Sequence, residues 1–83
     1  MSFVEKFREE HKANPVRWYR LLQLQLMLAN RGYSIRKVAG FMGVNHVYLS
    51  RILNGELEVG VDWLDQIDDA VHRLSHLGEV LDA

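Results

Sequence analysis

The stretch SIRKVAGFMGVNHVYLSRILNG, residues 34–55, decides how the chain is read. Ser34 stands where a hydroxyl can cap a helix, and Val38, Ala39 and Met42 then fall on one face. Gly43 interrupts that pattern. Asn45 offers a second cap, Leu49 and Ile52 share an inward face, and Asn54-Gly55 closes the segment, glycine being able to take the left-handed C-cap. The result is two short amphipathic helices joined at a glycine. The stretch carries Arg36, Lys37 and Arg51 and no acidic residue.

Outward from it, the flanks read as three more helices. Ser2-Phe3-Val4-Glu5 has the spacing of a capping box and opens a helix over about 2–12, with Phe3, Val4 and Phe7 on one face. Asn14-Pro15 starts another, asparagine as N-cap and proline at the first helical position, where its missing N–H costs nothing. Leu22, Leu24, Leu26 and Leu28 alternate as in a strand. The length to Arg31, the proline start and the helix-forming Gln, Leu, Met, Ala and Arg decide for helix. Its apolar arc holds Trp18, Leu21, Leu22, Leu28 and Ala29, extended by Tyr19 and Leu26, which implies contact on two sides. After a loop over 56–60, Val61, Leu64, Ile67, Val71 and Leu74 recur at spacings of three and four, giving a fifth helix to about Leu77. Residues 79–83 are expected to fray. The chain therefore reads as one all-α domain, 1–83, with a core over about 15–77.

The net charge of −1 averages unlike parts. Residues 1–32 carry Lys6, Arg8, Lys12, Arg17, Arg20 and Arg31 against Glu5, Glu9 and Glu10, a net of +3. Residues 33–55 are again +3, from Arg36, Lys37 and Arg51. Residues 56–83 are −7, with eight acids against Arg73. A polyanion would approach the first two parts and be repelled by the third. The absence of cysteine leaves neither disulfides nor thiolate chemistry. No apolar run approaches the roughly 20 residues of a membrane span, and the charged first twelve residues do not read as a signal peptide. A cytoplasmic location is expected.

Ile35 to Ile52 resembles the helix-turn-helix of the lambda-repressor and Cro-like family. Ala39 sits where two helices cross closely, Gly43 supplies the turn, and Val38, Met42, Val44, Leu49 and Ile52 occupy the motif's buried positions. Leu53-Asn54-Gly55 looks like the family's helix end, and the likeness extends over roughly Val16 to Leu74. The resemblance implies a five-helix DNA-binding fold with the motif at about 35–54 and an added N-terminal helix. It also implies that the second motif helix, about 46–54, enters the major groove of double-stranded DNA. Carried over by position, His46, Val47 and Arg51 face base edges with Ser50 near them. Arg51 is suited to a bidentate pair with guanine, Val47 to a thymine methyl, and His46 to a base acceptor or a phosphate.

Arg36 and Lys37 add an independent argument. In the first turn of a helix, cations oppose the dipole by about 0.3–1 kcal/mol each, an arrangement that a neighbouring phosphate would reward. Ser34, Asn45, Tyr48 and Asn54 join them as candidate backbone contacts. Ile35 departs from the family, where many members carry a phosphate-binding glutamine; the contact is either lost, with weaker non-specific affinity, or taken over by Ser34 or Arg36, or Ile35 packs on the N-terminal helix.

Trp63, Ala70 and Leu77 form a seven-residue stripe beside the core stripe of the last helix and are the candidate dimer interface. A twofold dimer would set two recognition helices about 34 Å apart on a palindromic operator. His72 and His76, four apart, have a spacing that can hold a metal, but an exposed acidic helix gives no closed shell of ligands, so no metal is expected. Asp62, Asp65, Asp68 and Asp69 read as solvated rather than as paired acids. No phosphate loop and no nucleophile with its base appears, so neither an enzyme nor a cofactor is expected. Nor is a small-molecule ligand. The expectation is a small, dimeric transcriptional repressor of phage or bacterial type. The alternative is an antitoxin-like or phage-adaptor interaction module that keeps the fold without DNA binding.

Overall fold

The computed structural model describes residues 3–82, and side chains as far as Gly78. Among the described residues the chain forms five helices and no strand: α1 Phe3–Glu10, α2 Pro15–Arg31, α3 Ile35–Met42, α4 His46–Leu53 and α5 Val61–Asp82. They make one all-helical domain. α5 packs against α2 and α3, α4 packs against α3 and α2, and α1 lies on α2.

The local signals set most of the boundaries. Asn14 Oδ1 accepts from the Arg17 amide at 3.4 Å, and Pro15 occupies the first turn of α2. Ser34 Oγ accepts from the Lys37 amide at 3.0 Å, and Asn45 Oδ1 accepts from those of Val47 at 2.8 Å and Tyr48 at 3.4 Å. Each satisfies amides that the first helical turn leaves without an internal partner. At the end of α3, Gly43 takes φ +73°, and the Val44 amide donates back to Ala39 O at 3.0 Å. That reversal is the turn between α3 and α4, in a backbone region costly to any residue with a Cβ.

Two ends differ from expectation. α1 stops at Glu10 rather than near Lys12, because Asn14 before proline resists the α conformation and a turn intervenes at 11–13. Ser2 of the capping box lies outside the described residues. α5 runs through Gly78 to Asp82, beyond the end expected at Leu77, so the backbone of residues 79–82 is helical. A lone glycine inside a helix costs only about 1 kcal/mol and does not stop it.

The core is Trp18, Leu21, Leu24 and Leu28 from α2, Val38 and Ala39 from α3, Leu49, Ile52 and Leu53 from α4, and Leu64, Ile67, Ala70 and Val71 from α5. The arc expected on α2 is therefore corrected. Leu24 is buried, Ala29, Tyr19 and Leu26 are exposed, and Leu22 is half-buried. The buried face is a narrow line at spacings of three and four. On α5, Leu64, Ile67 and Val71 are buried and Leu74 half-buried as expected, whereas Val61 at the first position is exposed.

Trp18 is the hub. Phe3 and Phe7 of α1 lie against it with ring centroids at 5.8 and 6.5 Å, and the Arg17 guanidinium covers it at 5.0 Å. Its far edge meets Gly55, where a Cβ would come within 2.1 Å of the indole. Gly55 also sits at φ +76°, so two independent constraints select glycine just past α4. α2 holds that same end by hydrogen bonds. Gln25 Nε2 donates to Leu53 O at 2.7 Å, and Arg17 Nη2 donates to Leu57 O at 3.2 Å and Gly55 O at 3.4 Å. The position of α4 is thus fixed by packing on one side and by α2 at its C-terminus.

Candidate nucleic-acid interface

The outer surface of α3, the turn and α4 presents Arg36, Lys37, His46, Val47 and Arg51, all exposed. None of these cations is in an ion pair with a described carboxylate. The cations of α2 differ. Arg20 pairs with Asp65 at 2.6 Å, Arg31 Nε donates to Ser75 Oγ at 2.6 Å, and Arg17 is spent on backbone carbonyls. The acids of α5 are partly neutralised too, Asp69 by Arg73 at 2.9 Å and Asp68 by His72 at 3.4 Å when that imidazole is protonated. Positive charge that stays available therefore includes the α3–α4 surface, and neither helix has an acid in its first turn.

The remaining candidates divide by what their side chains already do. Ser34 and Asn45 are exposed, but their oxygens are occupied as helix caps. Ser50 and Asn54 are half-buried and bonded to each other, Asn54 Nδ2 donating to Ser50 Oγ at 3.3 Å. Tyr48 leans on Trp63 of α5 edge to face, with centroids 5.6 Å apart, which leaves 41% of it exposed. Lys37 extends over the ring of Tyr33, its Nζ 4.7 Å from the centroid.

Ile35 is half-buried and joins the core. It lines a small cavity with Gln25, Leu28 and Ala29 of α2, Tyr33, and Leu53 and Asn54 at the end of α4. The expected packing on the N-terminal helix is corrected accordingly, since α2 and α4 are its neighbours. An apolar side chain in that niche seals the joint between α2 and the two short helices.

The stripe expected to form an interface is also corrected. Ala70 is 4% exposed and belongs to the core, because α5 is flanked by α2 on one side and α3 on the other. Trp63 is half-buried against Tyr48. Leu77 alone of the three is open, at 46%. It faces a shallow apolar cleft shared with Phe41 of α3 and the side chains of His72, Arg73 and His76. Phe41, 41% exposed, is an apolar surface residue that the sequence pattern offered no reason to single out.

Among the described residues, no three His, Cys, Asp or Glu side chains converge as a metal site would require. No helix there is long and apolar enough to cross a membrane. Compared with known proteins, the chain matches no family model, no curated protein and no solved structure.

Proposed function

We propose that the chain is a small sequence-specific double-stranded DNA-binding protein of the lambda-repressor and Cro-like kind, acting in the cytoplasm as a transcriptional repressor. One observation carries the reading: Arg36, Lys37, His46 and Arg51 stand exposed on two joined helices without a carboxylate partner, while Arg17, Arg20 and Arg31 of α2 are engaged within the protein. A solvated face gains nothing from two cations in the first turn of α3, where the helix dipole opposes them. A phosphate backbone would offset that cost and release counterions on binding.

On this reading α4 lies in the major groove. Arg51 reads guanine through O6 and N7, Val47 touches a thymine methyl, and His46 donates to a base or a phosphate. Ser50, tied to Asn54, braces the same helix. Arg36 and Lys37 grip the backbone, joined by the amides that Ser34 and Asn45 organise at the two helix starts. Tyr48 keeps one edge for the backbone while the other rests on Trp63. The operator is palindromic, because the protein acts as a twofold dimer. Its contact surface is Phe41 with Leu77, which replaces Trp63 and Ala70 in that role.

A second reading, an interaction module without DNA binding, draws support from the same pair of exposed apolar residues, from Ile35 in place of a phosphate-binding side chain and from the acidic α5. Selection of bound sequences from a random duplex pool separates the two. The DNA reading expects an enriched half-site repeated with twofold symmetry at about one helical turn; a pool that stays random after selection contradicts it.

A further inference from the structure

Resting on the DNA-binding reading, we infer that Tyr33 is a positioning residue that pre-sets Lys37 for a phosphate. Tyr33 lies in the three-residue link between α2 and α3, and it is anchored at three points. Its amide donates to Leu28 O at 2.9 Å, closing the end of α2. Its hydroxyl lies 3.4 Å from Ser75 Oγ on α5, and that oxygen accepts from Arg31 Nε at 2.6 Å. Its ring is half-buried, with one face left for the Lys37 ammonium 4.7 Å from the centroid.

A free lysine side chain is among the costliest to order, so an exposed Lys37 would lose much of its phosphate contact energy to immobilisation. The electron-rich face of Tyr33 restricts that search without supplying a counter-charge, and the ammonium keeps donors for a phosphate oxygen. Arg36, beside it in the same helical turn, has no described aromatic partner. Lys37 therefore makes the backbone contact that fixes register, and Tyr33, which does not touch DNA, sets its quality.

The test is a double-mutant cycle of Tyr33→Leu and Lys37→Ala on full-length protein, read as affinity for a random-sequence duplex, with thermal melting of each variant alongside. Tyr33→Leu alone is expected to weaken binding about two- to fivefold, the range of an exposed cation–π contact. It leaves the salt slope unchanged, because Lys37 still reaches the DNA. In the Lys37→Ala background the same change is expected to have no effect, and Tyr33→Phe, which keeps the ring, stays near the parent. Nuclear Overhauser contacts between the Tyr33 ring and the Lys37 ε-methylene in free protein report the geometry apart from any DNA.

Equal losses from Tyr33→Leu in both backgrounds, or tighter binding by Tyr33→Leu, overturn the inference and leave the DNA-binding reading standing. A parent that binds no duplex at low salt overturns both. If Tyr33→Leu does not fold, Tyr33→Phe and Tyr33→Met carry the comparison, methionine removing the ring while filling the niche.

Discussion

Gly55→Ala should be the most damaging single-methyl addition in the protein, and its cost divides into two parts. The first is conformational. At φ +76° an alanine meets the left-handed penalty of about 1–2 kcal/mol. The second is steric. The new methyl would sit 2.1 Å from Trp18 Cη2 and 2.6 Å from Cζ3, so the ring must retreat by about 1.3 Å to reach the ordinary contact limit of 3.4 Å. Phe3, Phe7 and the Arg17 guanidinium surround that ring, and overpacking of this kind costs about 1–3 kcal/mol. The two together come to about 2–5 kcal/mol. At about 0.05–0.15 kcal/mol per residue, 83 residues supply about 4–12 kcal/mol in all, so the loss is a large fraction of the total.

Gly43→Ala is the internal control. Its φ is +73°, but no atom lies within 4 Å of a Cβ placed there, so only the first part applies, about 1–2 kcal/mol. Urea unfolding followed by circular dichroism gives both values. Equal midpoints for Gly55→Ala and Gly43→Ala, or a Gly55→Ala midpoint indistinguishable from the parent, would refute the claim that Trp18 and Gly55 lock the end of α4.

Three further outcomes follow from the surface and the caps. Arg51→Ala is expected to relax specificity at one base pair per half-site by about 1–3 kcal/mol, whereas Lys37→Ala weakens all sequences alike and lowers the salt slope by about one; parallel selections and salt titrations distinguish them. Asn45→Ala removes the acceptor of two α4 amides and should lower unfolding stability by about 0.5–2 kcal/mol, measured by urea titration. Phe41→Ser should shift sedimentation toward monomer, while Trp63→Phe should not; a parent that is monomeric at high concentration removes the proposed dimer surface.

The elements nearest the candidate interface were the most legible in the sequence, because their signals are local. Ser34, Asn45 and Asn14 each cap within three residues of themselves, and Gly43 and Gly55 mark reversals that only glycine makes cheaply. Ala39, expected at a close helix crossing, is buried. α2 was harder. Its leucines fill so much of the wheel that the period alone does not choose between Leu22 and Leu24, and neighbours from α1, α4 and α5 make that choice. Ala70 is inward for a related reason: a stripe beside the core stripe is outward only when one neighbour covers the helix, and α5 has two.

The supports of the candidate interface left no mark in sequence spacing. Gln25 to Leu53, Arg17 to Leu57 and Arg31 to Ser75 join residues 28, 40 and 44 positions apart. Long polar side chains of this kind read as solvated surface until the fold brings their partners near. Tyr33 belongs with them, its neighbours on three helices invisible in a Gly-Tyr-Ser link. Charge was legible in outline only. The +3 of the first 32 residues suggested a broad basic surface, but three of those six cations are engaged within the protein.

The most direct test of the central claim is the affinity of the full chain for random double-stranded DNA, measured by fluorescence anisotropy from 50 to 200 mM salt. With about six phosphate contacts, affinity should be measurable at the low end and fall on the order of a thousandfold across the range. An absence of binding at 50 mM salt, or an affinity indifferent to salt, would contradict the assignment of Arg36, Lys37 and Arg51 to a nucleic-acid interface.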